Sequence, residues 1–191
     1  MLKEAIKNFR QPVRSKVNRS PKNYTRFKKQ KINVINLLVV EYNKLSAGEM
    51  DGIEGVEYRR SITNELRRYQ AYAIEENFGA HYVEQGLDPK DKKNGTFEHM
   101  IPIASAIEFF IQNKISTEQF LELPTCRLRK DNDILLTENG WSKKTPDIYN
   151  FWKRYNYCFN TQGVFTTWDG QPVDTNMTLD DHFAQFVVDT V

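Results

Sequence analysis

The chain has 191 residues, of which 39% are hydrophobic and 27% are charged, and its formal net charge is +2. This length fits one ordinary domain with appendages, and the composition excludes collagen-like, low-complexity and wholly disordered chains. No apolar run approaches the roughly 20 residues of a membrane span and no secretory signal is recognisable, so we expect a soluble, cytoplasmic protein without a membrane partner.

The first 31 residues form a basic N-terminal arm. They contain 11 of the 27 Lys and Arg residues, including Lys28 and Lys29, but only one of the 25 acidic residues, Glu4. Neutralised phosphates release counterions, and interleaved aromatic rings can stack on bases, so such a segment fits a nucleic acid. We predict that the arm contacts DNA. A solvated tail, or an arm that neutralises the acidic remainder of the protein, is the alternative.

Residues 32–80 are predicted to form a helical region. Apolar residues over 32–45 recur on one helical stripe, although their β-branched content leaves a strand as an alternative. The glycine-containing segment 46–55 predicts a loop. Residues 58–78 have the strongest helical periodicity, and Gly79 predicts the end of this helix.

The second of these helices carries four arginines. They are Arg59, Arg60, Arg67 and Arg68. The two pairs are seven or eight residues apart and therefore recur on nearly the same helical face. A solvated face is one explanation for the cluster. The other is that the guanidinium groups bind phosphate, which makes these residues candidates for nucleic-acid contacts.

Short strands and helices are predicted beyond a charged loop over residues 84–96. The segment 96–103 predicts a strand, and 104–123 predicts two helical pieces. A second extended segment is predicted over 123–128, and a further helix begins at Lys130. These segments point to an α+β arrangement.

The C-terminal part is predicted to be a small hairpin and a helix. Thr178 precedes Asp181 by three residues and predicts the capped start of this helix. Ser116, in the earlier segment 104–123, precedes Gln119 in the same way and predicts a second capped start. Asp169 and Gly170 lie between apolar residues and predict a hairpin over 163–173.

Cysteine and histidine are scarce. Cys126 and Cys158 have no metal-binding spacing, so neither a disulfide framework nor a structural zinc site is predicted. Any catalytic histidine must be His81, His99 or His182.

Glu98 and His99 form a short motif with Pro102. The motif resembles the first motif of the HNH (ββα-metal) endonucleases, in which a strand ends in Asp or Glu, then His, commonly followed two residues later by Pro. Residues 125–133 look like the second strand and following helix of that family. The resemblance covers about residues 94–155.

This resemblance implies metal-dependent hydrolysis of DNA. His99 would be the general base, and Mg²⁺ or Mn²⁺ would neutralise charge on the phosphate. Glu98 would be a metal ligand and Asn132 the second ligand. The competing choices for the second ligand are Asp131, Asp133 and Asn139.

The sequence departs from the family in three ways. The usual final histidine is missing, the middle asparagine is not evident, and an inserted segment separates His99 from Asn132. Neighbours on a regular strand also point to opposite faces, so Glu98 and His99 share a phosphate only if the strand twists or ends there. The alternative is a structural His99, bonded to Glu98 or to the backbone.

Basic and aromatic residues are interleaved after the helix that is predicted to begin at Lys130. The basic ones could hold phosphates beside the scissile one. These candidates are Lys143, Lys144, Lys153 and Arg154.

We therefore predict a mainly helical α+β protein with a small ββα-metal unit and a C-terminal hairpin and helix. Its segments are a basic arm (1–31), a helical region (32–80), an HNH-like catalytic unit (81–160) and the C-terminal hairpin and helix (161–191). The expected function is a metal-dependent DNA endonuclease, encoded by a phage or mobile element. The alternative is a non-enzymatic DNA-binding or phage structural protein that uses its basic arm.

Overall fold

The structure is a computed structural model that describes residues 21–75, 80–88, 91 and 93–187. The helices are α1 (Pro21–Tyr42), α2 (Ala47–Asp51), α3 (Ile53–Glu75), α4 (Ile103–Ile111), α5 (Thr117–Leu121), α6 (Lys130–Glu138), α7 (Lys153–Asn156) and α8 (Leu179–Phe186). The strands are β1 (Tyr82–Glu84), β2 (Gly95–His99), β3 (Thr125–Arg129) and β4 (Phe165–Thr167). No helix among the described residues combines the length and the apolar composition that a bilayer span requires.

A mixed four-stranded sheet has the order β2-β3-β1-β4. β2 and β3 are antiparallel, with Phe97 opposite Arg127 and Glu98 opposite Cys126. β1 is parallel to β3 and antiparallel to β4. The predicted α+β class is confirmed, as are the two predicted strands and the helix that begins at Lys130. An HNH-type unit within this arrangement stays a prediction.

Helices α1 and α3 pack along each other. Ile35 of α1 and Ile62 and Leu66 of α3 are fully buried in one apolar cluster. Both helices therefore have the buried apolar stripe that their periodicity predicts, and the helical alternative for residues 32–45 is the one that the structure contains.

α1 continues without a break across Lys31, so the boundary predicted after this residue lies inside a helix. The Lys31 ammonium lies 2.5 Å from a carboxylate oxygen of Glu65, and both side chains are nearly buried. Residues 21–31 therefore belong to the helical region. Residues 1–20 of the predicted arm lie outside the described residues.

The segment 46–55 was expected to be a loop, and this prediction is wrong. The backbone N–H and the hydroxyl of Ser46 both donate to the Glu49 carboxylate, at 2.8 and 2.6 Å, and a short helix follows. A Cβ atom at Gly55 would overlap the carbonyl group of Met50. The glycine therefore permits a close approach between α2 and α3 rather than a loop.

An aromatic cluster packs beside β1 and β4. The Trp152 ring lies 5.2 Å from the Tyr82 ring and 5.0 Å from the Phe165 ring, and these side chains are almost completely buried. Packing against this cluster fixes α7 close to the sheet. Strand β1 itself was not predicted from the sequence.

The two predicted capping patterns are confirmed. Ser116 and Thr178 each accept a hydrogen bond from a backbone N–H three residues later, at 3.2 Å in both cases. The predicted hairpin is only partly formed. Gly170 occupies the turn with φ of +88°, but a single bridge joins Thr166 to Pro172, and the main partner of β4 is β1.

Candidate functional site

Glu98 and His99 lie at the end of β2 and have partners on opposite faces of the sheet. The Glu98 carboxylate binds Arg154, whereas the His99 ring binds Gln70 of α3. This follows from the alternation of side chains along a strand. The acid and the imidazole therefore do not form one site, in contrast to the arrangement that the family resemblance implies.

His99 carries a neutral, partly exposed imidazole. Its Nε2 lies 2.5 Å from Oε1 of Gln70, and since an amide oxygen only accepts, Nε2 carries the proton. Nδ1 then has the free lone pair and faces no hydrogen-bond partner in the described part of the chain. Burial, followed by the positive charges of Arg67 and Arg154, lowers the pKa of His99 to about 4. A neutral imidazole with a free lone pair can accept a proton from water.

The other two histidines have both ring nitrogens engaged. In His182, which is fully buried, the nitrogens contact a tyrosine hydroxyl and the backbone carbonyl of Glu122, each at 2.7 Å. In His81, Nδ1 lies 2.9 Å from the Thr125 hydroxyl and Nε2 lies 3.6 Å from the Glu122 carboxylate. Both rings tie structural elements together, which leaves His99 as the histidine available for proton transfer.

Three of the four candidate arginines on α3 have partners within the protein. The partners are Tyr42 and Met50 for Arg59, Glu57 for Arg60 and Glu65 for Arg68. Arg67 is exposed and has no acidic partner among the described residues, and its charge acts on His99. Arg67 is therefore the member of the cluster that lies nearest the candidate base with its charge uncompensated.

Two further residues of this site were missed from the sequence. Gln70 fixes the protonated nitrogen of His99, and Arg127 of β3 stacks over Phe97, with 5.8 Å from the guanidinium carbon to the ring centre. The Phe97 ring in turn lies 5.3 Å from the His99 ring. The available signal was the period-two alternation of the two strands, which gives Phe97 and His99 a common face.

The opposite face of β2 holds a closed, charged cluster. Arg154 is fully buried, binds the Glu98 carboxylate and donates to the Tyr155 hydroxyl at 3.3 Å. Burial raises the pKa of Glu98 despite the attraction of Arg154, and the charge of Asp133 raises it further. Arg154 was predicted to contact DNA. That prediction is wrong, because its guanidinium is completely buried and already paired with the Glu98 carboxylate.

The first-choice metal ligands do not converge, although Asp133, a competing choice, lies close enough to Glu98 for its charge to raise the pKa of that carboxyl. Asn132 donates from Nδ2 to Glu84 at 3.0 Å, Asp131 is exposed on the first turn of α6, and Glu98 is bound by Arg154. Over the described ranges, no three His, Cys, Asp or Glu side chains form a group that could hold a metal ion. The guanidinium already supplies the positive charge beside Glu98, so these residues do not fit a shared Mg²⁺ or Mn²⁺. A requirement for either cation stays a prediction.

The candidate lysines divide into paired and exposed groups. Lys28 binds Glu122 at 2.8 Å, and Lys153 binds Asp147 at 2.9 Å. Lys28 therefore neutralises an acid of the protein itself, which was the alternative explanation for the basic arm. The exposed lysines, for which DNA contact stays a prediction, are Lys29, Lys143 and Lys144.

No protein-family model matches this chain, and neither a curated protein nor a solved structure matches it. The function must therefore be inferred from the geometry of the chain itself. The two features that bear on it are the neutral His99 ring and the guanidinium groups of Arg67 and Arg127, which form no ion pair with the described residues.

Proposed function

We propose that the protein is an endonuclease that hydrolyses phosphodiester bonds of DNA, with His99 as its general base. The observation that supports the proposal most strongly is the partly exposed His99 ring, whose Nδ1 faces no described partner. Arg67 and Arg127, near the same ring, have no acidic partner within the described residues. A phosphodiester would supply the missing negative charge, because guanidinium groups bind phosphate oxygens strongly.

In the proposed reaction, Nδ1 of His99 takes a proton from water and the hydroxide attacks phosphorus. The bond between phosphorus and the leaving sugar oxygen breaks, and this oxygen takes a proton from solvent. The charge of Arg67 offsets the negative charge on the phosphate oxygens. Gln70 keeps the proton on Nε2, so that Nδ1 remains the basic nitrogen.

No step of this reaction is assigned to a metal, because Glu98 and Asn132 have other partners and do not meet His99. The Mg²⁺ or Mn²⁺ requirement implied by the HNH resemblance can be measured in the same assay that tests His99. Cleavage in EDTA would show that His99 acts without the cation that the HNH family uses.

The test is incubation of supercoiled plasmid with the wild type and with His99→Ala, each in Mg²⁺, in Mn²⁺ and in EDTA. We expect His99→Ala to lose about 10²- to 10⁴-fold in rate, the usual contribution of a general base. His81→Gln is the control, because it alters a histidine that the proposal does not use. Thermal unfolding of each variant shows whether the fold is retained.

Two results would contradict the hydrolase proposal. The first is unchanged cleavage by folded His99→Ala. The second is an intact plasmid under all three conditions. If the intact plasmid is retarded in a gel, the non-enzymatic DNA-binding alternative is favoured, since the unpaired guanidinium groups also support binding alone.

A further inference from the structure

Arg127 is a buried positive charge that no acid of the described residues compensates. It lies on β3, between β2 and β1, and only 5% of its surface is exposed. Its Nε atom is buried without a hydrogen-bond partner. Among the described residues, no carboxylate forms an ion pair with it. An unpaired charge is costly to bury, so a guanidinium in this position calls for an anion from outside the described structure.

The other arginines close to the sheet have acidic partners. Arg154 binds Glu98 on the opposite face, and Arg129, two residues beyond Arg127, places Nε 3.0 Å from a carboxylate oxygen of Glu84. Arg154 is fully buried and Arg129 is about half exposed, and each has a carboxylate beside its guanidinium. Arg127 is buried as well, but no carboxylate among the described residues lies beside its guanidinium.

The surroundings of Arg127 are suited to a phosphate of a nucleic-acid backbone. The guanidinium stacks over Phe97, and the same ring touches His99 at a centroid distance of 5.3 Å. The register of β2 and β3 places Phe97 directly opposite Arg127, so the ring and the guanidinium lie side by side on one face of the sheet. Arg67 adds a second unpaired positive charge that reaches the imidazole.

We propose that Arg127 binds a backbone phosphate of DNA beside the phosphodiester bond that His99 attacks. The guanidinium fork matches two phosphate oxygens, and its stacking on Phe97 fixes the plane of the fork. Hydrolysis at the neighbouring bond depends on the proposed function, but phosphate binding by Arg127 does not. The two ideas can therefore fail separately.

The test measures the affinity for a short fluorescein-labelled DNA duplex by anisotropy over a series of KCl concentrations. All proteins carry His99→Ala, so that the duplex stays intact. We expect Arg127→Met to weaken binding about tenfold and to lower the slope of log Kd against log[KCl] by about 1, the loss of one phosphate contact. Arg127→Lys keeps the charge and should retain most of the slope.

Arg129→Met is the matched control on the same strand. It removes a guanidinium that already has a carboxylate partner, so it should lower the thermal midpoint and leave the salt slope unchanged. Arg127→Met should show the reverse, because removing an unpaired buried charge does not destabilise the fold. This crossed pattern separates a phosphate-binding arginine from a structural one.

A second measurement uses inorganic phosphate as the probe and needs no DNA. Phosphate should raise the thermal midpoint of the wild type above its value in KCl of equal ionic strength, because an anion that binds only the folded state stabilises it. The midpoint of Arg127→Met should not respond. A response to DNA without one to phosphate would show that the site needs the nucleic-acid backbone rather than the free anion.

The inference is overturned if Arg127→Met and Arg127→Lys bind the duplex as the parent does. It is also overturned if Arg127→Met unfolds the protein and the wild type responds to neither probe. If the duplex binds through Arg127 but plasmid is never cleaved, phosphate binding stands and the proposed hydrolysis fails.

Discussion

His99 has a lower pKa than a general base needs at neutral pH. Burial and the charges of Arg67 and Arg154 lower it to about 4 in the free protein, whereas bases work best with a pKa near the operating pH. A phosphate bound beside Arg67 would cancel part of that positive charge. The pKa of His99 should therefore rise when the substrate binds.

This difference predicts two separate acid limbs in the pH profile of DNA cleavage. The limb of kcat/KM, which reflects the free protein, should lie near the pKa of about 4. The limb of kcat, which reflects the complex, should lie at a higher pH. Arg67→Gln should bring the acid limbs of kcat/KM and kcat closer together. The variant lacks the positive charge of Arg67, so substrate binding changes the pKa of His99 less. Coincident limbs in the wild type would contradict this account.

At the scale of elements, an ion pair between Arg154 and Glu98 joins α7 to β2. Arg154 of α7 is fully buried, and its guanidinium has two nitrogen atoms without partners besides the one that binds Glu98. The Glu98 carboxylate therefore compensates the charge of Arg154. No other acid among the described residues forms a hydrogen bond with this guanidinium. Glu98 therefore has a structural role that does not involve a metal.

Glu98→Gln should lower the free energy of unfolding by about 3–5 kcal/mol, because removing one partner of a buried pair leaves the other charge uncompensated. The double variant with Arg154→Met should recover much of that loss. Urea unfolding measures both values, with and without Mg²⁺. A metal ligand at Glu98 would instead show as Mg²⁺ stabilisation of the wild type that the single variant loses.

The elements with local signals were predictable from the sequence. Apolar periodicity predicted α1 and α3, and the patterns at Ser116 and Thr178 predicted two helix starts, because these signals act within a few residues. Strand β1 was missed, because three residues are too few to show a period. The short helix α2 was missed because the glycines of the segment predicted a loop, although Ser46 and Glu49 form a local capping box at its start.

On the scale of the whole molecule, the uneven distribution of charge is partly compensated inside the fold. Lys28 and Lys31 belong to the basic arm, yet they bind Glu122 and Glu65 of the acidic remainder. The part of the arm over residues 21–31 is therefore a helix with structural cations. DNA contact by the arm stays a prediction that concerns chiefly residues 1–20.

Deleting residues 1–20 and deleting residues 1–31 should have different effects. The shorter deletion removes six of the arm's Lys and Arg residues and should reduce the salt dependence of DNA binding. The longer deletion also removes Phe27 from the core and breaks the Lys31 ion pair, so it should lower the thermal midpoint as well. Anisotropy over a KCl series and thermal unfolding measure the two effects. An unchanged salt slope in the shorter protein would contradict a DNA-binding arm.

The sequence by itself determined the α+β class, the main helices and strands β2 and β3. These properties follow from periodicity, local capping and composition, which are readable within a short window of the chain. Only the tertiary structure decided which charges have partners. It enclosed Arg154 with Glu98 and placed no acid of the described residues beside Arg127, because ion pairs depend on residues far apart in sequence that packing brings together.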